Sequence, residues 1–384
     1  MRTTKLFDDF FENERSAGLV LIGCTLVSLI LANSPLHDEY TAIWNYDVAG
    51  HHFSHWINDG LMTIFFLLVG LELEREIYIG ELSTPSKAML PVIAACGGMI
   101  VPAGLHLMFN YGTSTQSGAG IPMATDIAFA LAGLSLLGKR VPVSLKVFLT
   151  ALAVIDDLGA ILVIAFFYTD SLQWTNLIIS LSAFGVLLVF NRLKVRSMIP
   201  YLIGGVIMWW YMLHSGVHAT ISGVLLAFAM PFQNGDTKST SYILQKVLHR
   251  PVPFIILPLF ALANTSVALP EGWIHRLTEP NSLGIFVGLF IGKPLGISLF
   301  SYASAALRIT RLPSDINWSH IIGAGMLGGI GFTMSIFITL LAFDDPTVID
   351  QSKIVITLSS TIAGIAGYFY LSWVTRSVAN QKKS

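Results

Sequence analysis

Residues 147–169 read VFLTALAVIDDLGAILVIAFFYT, an apolar run with two adjacent aspartates, Asp156 and Asp157, and no other charged residue. The run is long enough to cross a bilayer as a helix, which takes about 20 residues. Two ionised aspartates cost about 5 to 7 kcal/mol on insertion, and the thirteen Leu, Ile, Val and Phe of the run return about 4 to 8 kcal/mol. The helix therefore inserts marginally. Facing lipid, the aspartates would be a burden without return, so they face other helices or a water-filled cavity, the mark of a transport or proton-handling site.

The rest of the chain has the same character. Of its 384 residues 54% are hydrophobic and 12% charged, about half the charge of a soluble domain, and mean hydropathy is +0.69. Apolar runs recur from end to end and leave no stretch for a soluble domain. We read twelve spans, in the windows 17–32, 56–73, 88–109, 121–137, 147–168, 177–190, 199–213, 217–230, 252–268, 283–299, 321–343 and 354–374. The expected fold is an all-α polytopic membrane protein.

Basic residues give the orientation, because Lys and Arg gather in cytoplasmic loops. Of the 22 in the chain, all fall on the two tails or in loops after even-numbered spans except Lys293, inside span ten, and Arg276 and Lys353. Both termini are therefore expected to be cytoplasmic. The N-terminal MRTTKLFDDFFENERSAGLV lacks the basic, apolar, small layout of a cleaved signal and is expected to form a short interfacial helix. Cys24 and Cys96 lie in apolar spans and imply neither a disulfide framework nor a metal site.

Neighbouring residues on a helix point about 100° apart, so Asp156 and Asp157 have different tasks. One can face an ion cavity while the other reaches a partner, and Lys293 in LFIGKPLGISLF is the obvious one. A third acid, Asp126, stands beside Thr125 in span four. That span begins with Pro122, and span eleven carries GAGMLGGIGFTMS, with Gly329, Gly331 and Thr333 at its middle. Neither is a comfortable continuous helix. Spans four and eleven hold the middle of the triplets three-four-five and ten-eleven-twelve, which an offset of seven spans places in opposite orientation. Two inverted-topology repeats with interrupted segments at matching places point to the binding site of a secondary transporter. The triplets, about 88–168 and 283–374, form the expected ion-transport core, and 17–80 with 177–268 an interface or scaffold part, within one membrane domain over 1–384.

The strings VIDDLGA, IPMATDIAFAL, IGKPLGISLF, GGIGFTMSIF, FFLLVGLELERE and SGVHATISGVLLAF together resemble the bacterial NhaA sodium/proton antiporters, over nearly the whole chain and in order. That family is itself one of the standard examples of inverted transporter repeats. The resemblance implies electrogenic exchange of cytoplasmic sodium or lithium for external protons by alternating access, in the bacterial inner membrane, without a cofactor or a nucleic-acid partner. It implies a homodimer in membrane lipid, joined through strand pairs around Tyr46 to Phe53. Asp156 and Asp157 resemble the family's ion- and proton-binding pair, Asp157 being the principal sodium ligand. Lys293 resembles the lysine that pairs with this site, and Thr125 with Asp126 the polar group that balances half-helix ends where spans four and eleven cross. Glu72, Arg75 and Glu76 resemble residues of the ion entrance, and His218 and His249 histidines of the pH response. Two departures stand out: Gln245 and Lys246 occupy positions where the family usually has an acid and a histidine, and Glu74 one where it often has a basic residue.

Sodium is a hard cation that suits oxygen ligands, and the same carboxylates bind protons. Competition for one set of oxygens, opened alternately to each side, exchanges one ion for the other. Lys293 is open to two roles, a structural counter-charge or a group that itself gives up a proton. A sodium-selective channel lined by the same acids is the nearer alternative, distinguished by sodium flux without proton countermovement. An intramembrane aspartyl protease would need its aspartates on two helices, usually with GxGD, which is absent. His51, His52 and His55 beside Trp56 have no Cys or HExxH near them and are assigned no metal.

Overall fold

The computed structural model describes residues 5–169, 171–233, 236–270 and 272–381, and nearly all of its regular structure is helical. Among the described residues, eight helices are long and apolar enough to cross a membrane: Phe53–Tyr78, Lys87–Asn110, Gln116–Ser135, Val143–Phe167, Trp174–Arg192, Thr240–Asn264, Pro280–Ala306 and Pro346–Arg376. Two bent pairs bring the number to ten, Ser16–Ala32 with His37–Asn45 at 117° and Trp318–Gly328 with Phe332–Ala342 at 49°. Ile199–Leu213, of 15 residues, and Ile221–Ala229, of 9 residues, are apolar and shorter. Each apolar window has a helix at its centre. The chain is a polytopic helical membrane protein.

It divides into two compact units, one made of residues up to Gly23 with Thr84–Ala160 and Val267 onward, the other of Cys24–Ser83 with Ile161–Ser266. In the first, Pro280–Ala306 lies along Pro85–Asn110, and what lets them approach is a glycine at every fourth position, which puts all four on one helix face. Gly284 faces His106 and Asn110, Gly288 faces Pro122, Gly292 faces Pro102 and Gly296 faces Gly97. At the last pair each glycine would drive an added Cβ into the carbonyl oxygen of the other, the close small-residue packing that joins helices where lipid offers no hydrophobic drive. Gly296→Ala is accordingly expected to cost about 1–3 kcal/mol by overpacking. A lower melting temperature in detergent checks this, and an unchanged one contradicts it.

In the second unit Ile221–Ala229 lies on Phe53–Tyr78, with Gly70 against Ala227 and Gly223 against the carbonyl of Thr63. Trp174–Arg192 pairs with Ile199–Leu213. These two helices turn Ile178, Val186, Val189, Ile203 and Val206 outward, as lipid-facing helices do. Leu67, Leu71, Leu187, Tyr201 and Met208 fill the space behind them. A two-residue strand pair, Asp47–Val48 with His51–His52, turns through Ala49 at φ 56° and Gly50 at φ 86°. Two positive φ values in succession match the twist of a tight hairpin. Trp56 Nε1 donates to Val48 O at 2.9 Å, and His52 Nδ1 sits 2.8 Å from Asn45 O. These contacts anchor the hairpin to its flanking helices.

Three segments differ from the sequence reading. The N-terminal segment is not a separate interfacial helix: Lys5–Ala32 is one helix of 28 residues, since no proline interrupts it and the first glycine is Gly18. The Thr240–Asn264 helix starts well before the window at 252, so Gln245, Lys246 and His249 lie within it rather than ahead of it. In the fourth window Pro122 belongs to a 3-10 stretch, Gln116–Met123, and the interruption falls just after it, where the chain is extended from Ala124 to Asp126 before Ile127–Ser135 begins.

Candidate ion site

Asp156 and Asp157 sit past the midpoint of Val143–Phe167, and both are buried. Asp156 Oδ2 accepts from Lys293 Nζ at 2.5 Å and from Thr125 Oγ1 at 2.7 Å. Lys293 is fully buried and follows directly on a widened turn, Gly288–Gly292, with Gly98 on the neighbouring helix close to its side chain. Buried charges persist only when compensated, and here ammonium and carboxylate compensate each other. Asp156 Oδ1 has no hydrogen-bond partner among the described residues. One oxygen of Asp156 is committed to Lys293 and Thr125, and the other can accept a proton or a cation.

The two interrupted segments meet beside this pair. Asp126 N donates to Ile330 O at 2.7 Å. Asp126 Oδ1 accepts from Phe129 N at 3.1 Å and so caps its own helix, Ile127–Ser135. Asp126 Oδ2 accepts from Thr333 N at 3.1 Å and from Thr333 Oγ1, capping Phe332–Ala342 as well. Thr125 Oγ1 lies 2.8 Å from Gly328 O, the last carbonyl of Trp318–Gly328. Helix ends carry partial charge, positive at the N-terminus and negative at the C-terminus. A carboxylate therefore meets the exposed N–H groups of one half-helix, and a hydroxyl meets a terminal carbonyl of the other. Ser360 Oγ accepts from Phe332 N at 3.1 Å, and Ser335 Oγ donates to Ile121 O at 2.7 Å.

The structure thus gathers Thr125, Asp126, Asp156, Lys293 and Thr333 around one crossing, with Asp157 on the adjoining helix face and Gly329 and Gly331 in the break itself. Gly329 could not carry a side chain without meeting Leu289 O.

Residues 8–371 match the family Na+/H+ antiporter 1. The chain belongs to this antiporter family. It is 64% identical to the Na(+)/H(+) antiporter NhaA of Flavobacterium psychrophilum over 100% of each chain. It is 58% identical to the protein of that name from Cytophaga hutchinsonii over 97% of this chain and 96% of the other. With that of Dechloromonas aromatica it shares 57% identity over 97% of each. The family is one of transporters, not enzymes, which disposes of peptide cleavage as a use for the aspartates.

In this antiporter-family chain the other expected site residues lie in the second unit. Glu72 Oε1 is 3.9 Å from His249 Nδ1, and Arg75 Nη2 is 3.3 Å from Glu76 Oε1. His218 Nε2 is 2.7 Å from Tyr168 O, so this nitrogen carries its proton and the ring ties the loop before Ile221–Ala229 to the end of Val143–Phe167. Glu74, 5% exposed, accepts from Ser241 Oγ at 3.2 Å. The unusual acid is therefore a buried, hydrogen-bonded link between Phe53–Tyr78 and Thr240–Leu248 rather than a surface charge. His55 Nδ1 pairs with Asp59 Oδ2 at 3.0 Å, and among the described residues no group of three or more His, Cys, Asp or Glu could hold a metal ion.

Proposed function

We propose that this chain, a sodium/proton antiporter by family, moves cytoplasmic sodium or lithium outward in exchange for external protons, with net charge transfer, through one site opened alternately to each side of the bacterial inner membrane. In this reading Asp157 is the principal sodium ligand, Asp156 shares the proton load, and Thr125 with the carbonyls of the broken helices adds oxygen. The fold would comprise twelve spans with both termini cytoplasmic. Two inverted triplets would form the transport core, about 88–168 and 283–374, with 17–80 and 177–268 as the scaffold. Glu72, Arg75 and Glu76 would line the cytoplasmic entrance, His218 and His249 would take part in the pH response, and the Asp47–His52 hairpin would join two copies. The physiological task is sodium and pH homeostasis.

The observation that carries this reading is the buried Asp156 carboxylate, held on one oxygen by Lys293 and Thr125 beside the ends of two half-helices. Such ends serve as ion-coordinating elements in transporters with broken helices. If two protons leave as one sodium enters, each cycle moves charge. A sodium pulse on proteoliposomes adsorbed to an electrode is then expected to give a transient current, absent for potassium. Proton exchange without any current would make transport electroneutral. The same recording decides the role of Lys293: current that survives Lys293→Gln makes it a counter-charge, and current lost while exchange persists makes it a proton carrier.

A further inference from the structure

Away from the ion site, a cavity of about 310 Å³ lies between the Trp273–Arg276 helical turn and the start of Pro346–Gln381. One of its walls is a single helix face, Thr347, Asp350, Gln351 and Ile354, at the spacing of one amphipathic stripe. Polarity falls along that face. Thr347, Asp350 and Gln351 occupy the first turns of a helix that crosses the membrane, while Ile354 and Val355 lie a turn deeper. Trp273, Arg276 and Leu277 form the opposite wall.

That wall is preset. Gln351 Nε2 lies 2.9 Å from both Arg276 O and Glu279 Oε2, and Ser282 Oγ donates to Arg276 O at 2.8 Å. The Arg276 carbonyl is thus built into the framework, whereas its guanidinium has no hydrogen bond or ion pair among the described residues. Asp350 is half exposed and its carboxylate is 3.8 Å from Lys353 Nζ.

We propose that this cavity holds the headgroup of a zwitterionic aminophospholipid, its phosphate on Arg276, its ammonium on Asp350 and its first methylenes on Ile354 and Val355. A guanidinium fork matches phosphate oxygens, and a small-molecule site of roughly 300 Å³ is of a size to hold a headgroup. Tryptophan is a residue of the membrane interface. The gradient from polar to apolar within two turns fits an amphipathic occupant and does not fit a free ion. Arg276 and Lys353 are the two loop or span-end basic residues that stand apart from the basic tails and loops. Anionic lipids select clusters of about 4–8 basic residues, whereas here only Arg276, with Lys353 paired to Asp350, is at hand and a carboxylate lines the same cavity, which suits a neutral zwitterion.

The test is native mass spectrometry of the full-length protein, delipidated in detergent and titrated with phosphatidylethanolamine, phosphatidylglycerol or phosphatidylcholine. The ethanolamine lipid is expected to be retained at least about threefold above the others, because it alone pairs a phosphate with an ammonium that can donate to Asp350. Arg276→Gln should lower its retention about tenfold, the scale of one lost charge-assisted hydrogen bond, and Asp350→Asn should erase the preference. Arg276→Lys keeps the charge, and sodium-dependent proton movement by each variant in liposomes shows that it is folded. Equal retention of the three lipids overturns the proposal, as does unchanged retention in folded Arg276→Gln. Displacement of the lipid by soluble phosphoethanolamine would assign the cavity to a soluble ligand and overturn it too.

Discussion

Asp156→Asn will abolish sodium-dependent proton movement and will also lower stability by about 3–5 kcal/mol, the usual consequence of removing one partner from a buried ion pair. The second effect follows from Lys293, whose ammonium is fully buried and 2.5 Å from Asp156 Oδ2. An asparagine offers it a dipole in place of a charge. Lys293→Gln alone should cost a comparable amount, because either group left without its partner stays buried and must shed its charge, the carboxylate by taking a proton and the ammonium by losing one. The double variant Asp156→Asn with Lys293→Gln removes both charges and is expected to recover most of the lost stability and none of the transport. Melting in detergent measures the first quantity, and exchange in liposomes the second. A double variant that transports would show that Asp156 carries neither proton nor sodium.

Asp126→Ala has the next largest effect, about 2–4 kcal/mol, and its cause is different. Asp126 caps two helices at once, through Phe129 N on one side and through Thr333 N and the Thr333 hydroxyl on the other. A single N-cap is worth about 0.5–2 kcal/mol, and donors left buried without an acceptor cost about 1–3 kcal/mol. Thr333→Val leaves both backbone caps in place and should cost only about 1 kcal/mol. Because Thr125 is the next residue, loss of the Asp126 cap should displace the Thr125 hydroxyl from Asp156, and exchange should fall along with stability. The comparison of melting and exchange for the two variants checks this. Equal melting temperatures for Asp126→Ala and Thr333→Val would mean that Asp126 does not hold the broken helices.

Asp156, Asp157, Lys293 and Asp126 were legible in the sequence for one reason: a charge in a membrane-spanning run is so costly that it must have a use. The interruptions were legible because Pro122 and the glycines of GAGMLGGIG are poor material for a continuous helix. What placed the first interruption at Ala124–Asp126 was not Pro122 itself but the Thr125–Asp126 pair, which supplies caps to helices far away in the chain. Their backbone partners, Gly328 O, Ile330 O and the N–H groups of Phe129 and Thr333, gave no signal, since backbone groups have no sequence signature. The Glu74–Ser241 link was hidden for a similar reason, its partners being 167 residues apart. Hydropathy windows also misjudged where helices start. The chain is helical from Thr240 and from Lys5, although apolarity begins later in both segments, because a helix needs only propensity and a place to pack, and hydropathy reports neither.

The most direct test of the ion site uses purified protein in liposomes with an internal pH dye and an imposed proton gradient, to which sodium is added, with Asp157→Asn alongside and potassium as the control cation. Sodium, and not potassium, is predicted to collapse the gradient for the native chain and to leave it intact for the variant. If Asp157→Asn responds like the native chain, or if the native chain fails to respond from neutral to alkaline pH, the assignment of exchange to this pair of aspartates is contradicted.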